Sequence, residues 1–348
     1  MSSVRQIAKE LGVSVATVSR AINQRDGVSK DMRRRVLLAA ERVGYTPTIG
    51  KKPTNVIGLV YPDEPVKSDL GDFEAALLSG IFRGVYERHH DLTFISASRD
   101  KHPDESFRQF FHRKGVRAVI VRSLGATGLV ESIASEGFPV LLVADRSDDP
   151  NVSFIDSYSY DSAREAVEHM LGLGHRRIGL AIHDIDDTDH RDRERAYRET
   201  LESEGIEIDE GLIVREVAST AGGESMLETL LRAERPPTGI FFTNPMSTIG
   251  ALYKCLRLGI KVPRDLSIVG VDDSNTRHQT FPRYTAICQD AVAMGLEAAR
   301  WIVNCSQGET PGPFRETHAT RLEILETTAS APSAPVRIDA DGHLAGAE

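Results

Sequence analysis

The stretch Ile7-Ala8-Lys9-Glu10-Leu11-Gly12-Val13-Ser14-Val15-Ala16-Thr17-Val18-Ser19-Arg20-Ala21-Ile22-Asn23 decides how this chain is read. With Val4 ahead of it, Val4, Ile7, Ala8 and Leu11 follow the i, i+3, i+4, i+7 spacing of a helix with one buried face. Gly12 then supplies the backbone freedom of a sharp turn, and Ser14 is a good N-cap for a second helix over 15–22 that buries Val18, Ala21 and Ile22. Ser29 starts a third helix with Met32, Val36, Leu37, Ala40 and Val43 apolar; Gly44 closes it and Pro47 prevents its continuation. Two short helices joined by a glycine turn, with a third to cover them, are a helix-turn-helix. The second helix of such a unit puts its N-terminal side chains into the DNA major groove. Here those are Val15 and Ala16, with Arg20 a turn later. Arginine reads guanine through two hydrogen bonds, and small apolar side chains contact the thymine methyl. Thr17, Ser19 and Asn23 are short donors suited to phosphate.

Charge divides the chain the same way. The net charge of its 348 residues is −9, a poor match to DNA as a whole. Residues 1–53, however, hold eleven Lys/Arg against four acids, or +7, and the remainder is −16. A basic head attracts phosphate while an acidic body repels it. The first residues run into a polar amphipathic segment rather than an apolar signal core, and no apolar run approaches bilayer-spanning length. Cys255, Cys288 and Cys305 are scattered, with no CxxC spacing, so neither a zinc site nor a disulfide framework is expected. A cytoplasmic protein follows from these readings.

From Asn55 onward, strand-like runs alternate with amphipathic helices. Strands are predicted at 56–61, 92–96, 118–122, 140–144, 152–156, 178–182, 213–217, 239–242, 266–271, 284–289 and 320–325. This repetition predicts parallel sheets covered by helices on both faces, and the length favours two lobes over one sheet. Ligands of such folds bind beyond the carboxyl ends of the strands, so a site is expected in the cleft between lobes.

The run Ser14-Val15-Ala16-Thr17-Val18-Ser19-Arg20, with Asn23, Val28-Ser29 and Gly44-Tyr45-Thr46-Pro47, resembles the headpiece of the lactose/galactose repressor (LacI/GalR) family. The body resembles the family's periplasmic-binding-protein-like domain, most clearly at 57–60, 77–81, 173–178 and 259–273. The resemblance implies an all-α headpiece over 1–47, a linker over 48–55 and a two-lobed α/β domain over 56–327. Lobe 1 would span about 55–157 and 290–317, and lobe 2 about 158–289 and 318–327. It implies a homodimeric repressor, without cofactor, metal or enzymatic activity, that binds operator DNA through Val15, Ala16 and Arg20. It also implies a small effector, a sugar or sugar derivative, held by Phe73, Arg122, Asp156, Arg193, Asn244, Asp272 and Gln289. Carboxylates, amides and arginine forks suit hydroxylated ligands, and two arginines would admit a phosphorylated or acidic sugar.

The chain departs from the family at several points. Pro245 stands where an Asp is usual, Ala196 where Gly is usual, and Thr285-Ala286 where a Thr pair is usual. The hinge helix with its leucine is missing: Thr46-Pro47-Thr48-Ile49-Gly50-Lys51-Lys52-Pro53 is short and disfavours helix. Kinking DNA by intercalation needs an apolar wedge, and only Ile49 is a candidate, so operator binding without a sharp central kink is expected. The linker is then either a different allosteric coupling or a passive tether.

The run His183-Asp184-Ile185-Asp186-Asp187-Thr188-Asp189-His190 is rich in hard ligands but lacks the Gly and distal Glu of a calcium loop, so it reads as an exposed acidic loop at the cleft rim. His190-Arg191-Asp192 has no glycine-rich loop or downstream Asn to make it a kinase triplet. No G-x-G-x-x-G follows a strand and no Walker sequence is present, which speaks against a sugar kinase or dehydrogenase. A plain sugar-binding protein would carry a secretion signal and no basic head. The Ala-, Pro- and Gly-rich tail over 328–348 is expected to be disordered.

Overall fold

A computed structural model describes residues 4–22, 26–43, 45, 55–63, 71–126, 128–308 and 312–345. The headpiece consists of α1 (Val4–Leu11), α2 (Val15–Ile22) and α3 (Lys30–Arg42). Their apolar faces meet in a small core of Ile7, Ala8, Val18, Ala21, Ile22, Val36, Ala39 and Ala40. The linker over 48–54 and Asn23 lie outside the described residues.

The body is two α/β lobes. The first begins with β1 (Val56–Tyr61), α4 (Asp72–Glu87), β2 (Asp91–Ser96) and the single turn α5 (Ala97–Asp100). It continues through α6 (Phe107–Lys114), β3 (Ala118–Val121), α7 (Leu129–Ser135), β4 (Val140–Val143) and β5 (Ser153–Tyr158). The second lobe holds α8 (Tyr160–Gly172), β6 (Ile178–His183), α9 (Thr188–Ser203), β7 (Ile213–Glu216) and α10 (Thr220–Arg232). It goes on through β8 (Gly239–Phe242), α11 (Pro245–Leu258), β9 (Ser267–Asp272) and β10 (Thr285–Cys288). The chain then returns to the first lobe with α12 (Ala291–Ser306) and β11 (Arg315–Ala319), and ends in the second with β12 (Arg321–Glu323).

The sheets run β2-β1-β3-β4-β5-β11 and β7-β6-β8-β9-β10-β12, and only the β10–β12 pairing is antiparallel. The central strands of both are largely continuous apolar runs, as strands covered on both faces must be. Three crossings join the lobes, after β5, after β10 and between β11 and β12. α4 and α12 pack backbone to backbone because of glycines. A Cβ on Gly80 would lie 2.1 Å from the Val292 carbonyl oxygen, and one on Gly295 would lie 2.2 Å from that of Leu77.

Two expectations are corrected here. The late strand expected over 320–325 is β12, and an unexpected strand, β11, precedes it and joins the other sheet. β11 reads Arg315-Glu316-Thr317-His318-Ala319, a largely exposed edge strand with no apolar alternation to reveal it. The tail is ordered through residue 345 rather than disordered. Ala329 and Ala331 are hydrogen-bonded to Ser267 and Leu173, and Ile338, 2% exposed, inserts into the second-lobe core. Val336, Ile338 and Leu344 supply the apolar area that the surrounding Ala, Pro and Gly conceal in a compositional reading.

Candidate functional site

In the headpiece, Gly12 takes φ 65°, turning the chain between α1 and α2. The Ser14 hydroxyl accepts the Thr17 N–H at 3.0 Å, capping α2. Burial of Val18, Ala21 and Ile22 forces the other face of α2 outward. Val15 is 47% exposed, Ala16, Ser19 and Arg20 are exposed, and Thr17 is half-buried against its cap. The five described residues of the predicted DNA-reading set therefore share one outward surface.

A cavity of about 470 Å³ lies between the carboxyl ends of the two sheets. It contains five of the seven residues expected there: Phe73, Arg122, Arg193, Asn244 and Gln289. Phe73 stands in the first turn of α4, its ring centroid 5.3 Å from the Arg122 guanidinium carbon. Arg122 is fully engaged. It donates twice to Glu74 Oε1, at 2.8 and 2.6 Å, and to the carbonyls of Val143 and Ala144 at 3.4 and 3.1 Å. Arg193, 2% exposed, donates to the Thr243 carbonyl at 3.1 Å, Ser159 Oγ at 3.1 Å and Gln289 Oε1 at 3.2 Å, and stands 3.4 Å from Asp189. Asn244 caps α11, its Oδ1 accepting the N–H groups of Met246 and Ser247, so its Nδ2 is the end left for other partners.

Asp156 and Asp272 do not line the cavity, contrary to expectation. Asp156 is fully buried beneath the wall, accepting Thr188 Oγ1 at 2.9 Å and lying 3.1 Å from Arg146 Nε. Thr188 belongs to the other lobe and also donates to Asp145, so this cluster ties the lobes together. Asp272 is engaged by Arg277 and by the N–H groups of Ser274 and Thr276, fixing the loop after β9. Its neighbour Asp273 takes the cavity position and receives Gln289 Nε2 at 2.5 Å. Burial pushes the Asp273 carboxyl up to about 7, with the Gln289 bond and Arg193 working against the rise.

The 183–190 run is also corrected. Asp184 and Asp186 are exposed, but Asp187, Asp189 and His190 are buried and line the cavity wall. Asp187 caps α9, accepting both the backbone N–H and the ring Nδ1 of His190, at 2.9 and 2.7 Å. Burial alone would raise its carboxyl, but His190 outweighs burial and holds it well below the usual range. His183 Nδ1 accepts the Ala218 N–H at 3.1 Å, so the ring proton of the neutral form sits on Nε2. Burial, with His190 alongside, pushes His183 down to about 4. Sequence reasoning does not single out Glu74, His183, Asp187, Asp189, His190 or Asp273 as site residues. Their signal is position, since the 183–190 run and Asp273 lie at the carboxyl ends of β6 and β9. Among the described residues no His/Cys/Asp/Glu group could hold a metal ion, and no helix is long and apolar enough to cross a membrane.

Comparison with known proteins bears on both sites. Residues 3–48 match the family model of bacterial regulatory proteins, lacI family, and residues 167–328 match a periplasmic binding protein-like domain. The HTH-type transcriptional regulator DegA of Bacillus subtilis (strain 168) is 31% identical, over 94% of this chain and 98% of that protein. A solved complex of the transcriptional regulator CelR with cellobiose is 27% identical with a TM-score of 0.66, over 94% of this chain and 100% of that one. A transcriptional regulator structure from Bacillus cereus subsp. cytotoxis NVH 391-98 shares the fold at 21% identity, with a TM-score of 0.71 over 80% of this chain and 99% of that one.

Proposed function

The chain belongs to the lacI family of bacterial regulatory proteins, and from that premise we propose that it is a homodimeric repressor whose grip on operator DNA is set by a sugar or sugar derivative bound between its lobes. The observation that carries the DNA-binding part is the outward face of α2. Val15, Ala16, Thr17, Ser19 and Arg20 stand together on a headpiece whose core is closed without them. Val15 and Ala16 meet base edges at the start of the reading helix, and Arg20 reads a guanine. Access to the chromosome makes the cytoplasm its place of work.

The effector reading rests on the cavity. Its volume of about 470 Å³ suits a mono- or disaccharide-sized ligand, with an aromatic ring at Phe73 and converging donors and acceptors from both lobes. The relative solved with cellobiose supports the carbohydrate class. Because the wall draws on both lobes, a ligand that binds one lobe arrangement better than another shifts their equilibrium, and through it the spacing of two headpieces. For the dimer, exposed apolar side chains lie on both lobes: Phe82 and Tyr86 on α4, and Tyr253 and Leu256 on α11. Sedimentation of the full chain tests this pairing, and a monomer at micromolar concentration would refute it.

The decisive experiment for DNA binding is a salt-titrated gel shift with the promoter DNA adjoining the protein's own gene. Specific binding should weaken steeply with salt, and Arg20→Ala should abolish discrimination between that promoter and unrelated DNA while leaving the fold intact. Undiminished discrimination by the variant would count against α2 as the reading helix.

A further inference from the structure

The charge on the cavity wall is lopsided. Its carboxylates, Asp63, Glu74, Asp184, Asp187, Asp189 and Asp273, face two guanidiniums, Arg122 and Arg193. Both guanidiniums are already countered. Arg122 is held in two hydrogen bonds by Glu74, and Arg193 lies against Asp189. Asp187 is bonded to His190, while Asp63 and Asp184 are exposed to solvent. That leaves Asp273, which is 4% exposed. Its side-chain bond is to an uncharged amide, Gln289, and among the described residues the cation acting on it, Arg193, lies beyond ion-pair distance and is held by Asp189. Burying a carboxylate without a cation is costly, so an incoming positive group is favoured and an incoming negative one opposed.

Among the described residues, two buried polar atoms on this wall lack a hydrogen-bond partner, His190 Nε2 and Arg193 Nε, on residues only 8% and 2% exposed. Nδ1 of His190 is taken by Asp187, which leaves Nε2 as its open end, and Arg193 Nε is a donor. His183 Nε2 and Asn244 Nδ2 add two more donors. Together these groups match a ligand with several hydroxyls and one cationic centre.

We propose that the molecule seated between the lobes is a hydroxylated cation of the amino-sugar or amino-polyol class, with its ammonium group against Asp273. This rests on the reading of the cavity as the effector site. It replaces the phosphorylated or acidic sugar that two arginines, counted without their partners, would suggest.

The test is isothermal titration of the full chain at neutral pH with matched triplets in the gluco, galacto and manno series: the free hexose, its 6-amino-6-deoxy analogue and its 6-phosphate. In the series that fits, the amino sugar should bind at least about tenfold more tightly than the hexose, and the phosphate should give no binding heat. In Asp273→Asn, which keeps an acceptor for Gln289, the advantage of the amino sugar over the hexose should vanish. Tighter or equal binding of a hexose or phosphate overturns the inference and leaves the effector reading standing. Silence from every triplet, with no shift in thermal midpoint, sinks the effector reading and the inference with it.

Discussion

Replacing Asp273 by Asn in the ligand-free protein isolates the energetic consequence of the unpaired carboxyl in the cleft. In the folded state burial pushes this group up to about 7, from an ordinary value of 3.8. Between those values the folded chain keeps a proton that the unfolded chain has released, so stability falls as pH rises from 3.8 through 7. At about pH 8.5 the whole difference of about 3 units applies, which at about 1.4 kcal/mol per unit costs about 4 kcal/mol. At about pH 5.5 only about 1.7 units have been traversed, a cost of about 2 kcal/mol. Asn occupies the same volume, still accepts from Gln289 and has no proton to lose. The variant's advantage over the parent should therefore widen by about 2 kcal/mol between those pH values. Urea denaturation at fixed ionic strength measures it, since titrations shared by both proteins cancel in the difference. Equal stabilities at the higher pH, or a gap that does not grow, would refute the assignment of Asp273 as a buried carboxyl without a counter-ion.

Asp272→Ala should behave quite differently, because it removes a carboxylate from Arg277, 4% exposed, beneath the loop after β9. Arg277 keeps its pair with Glu323, so a loss of about 1–3 kcal/mol is expected in the same denaturation assay. Gly80→Ala puts a methyl group 2.1 Å from the Val292 carbonyl, so α4 and α12 must separate. Thermal unfolding should show a loss of about 1–3 kcal/mol in a substitution that normally stabilises a helix. Ser14→Ala removes the cap of α2, costing about 1 kcal/mol of headpiece stability. Fluorescence anisotropy with promoter DNA should show weaker binding, and full recovery with Ser14→Asn, which restores an acceptor at the cap.

The headpiece is legible residue by residue. Its helices, its glycine turn, its serine cap and its outward face all follow from spacings within a few positions. The central strands are legible for a similar reason, since burial on both faces writes continuous apolar runs such as Ala118-Val119-Ile120-Val121 into the chain.

The cavity is legible only in outline. Its place beyond the strand ends follows from the fold class, and five of its expected residues do meet there. Which aspartates face it does not follow. Asp272 and Asp273 are adjacent and chemically identical, and the choice between them is made by Arg277, which takes the first and leaves the second to the cavity. Asp156 is drawn beneath the wall by Thr188, a residue of the opposite lobe. Distance in sequence also hides the tail, whose Ile338 is buried only because the second-lobe core beside α10 offers a place for it.

The local elements and their order, a basic helix-turn-helix ahead of alternating strands and helices, are written in the residues alone. The backbone imposes those periods on neighbouring residues, so they show in any window of the chain. The charge balance of the cleft comes from the packing of the lobes. Arg193 is neutralised by Asp189, 4 positions away, and Arg122 by Glu74, 48 positions away, while among the described residues Asp273 has no cation within ion-pair distance. Pairing of this kind depends on which side chains the folded lobes bring within a few ångströms, and no local period records it.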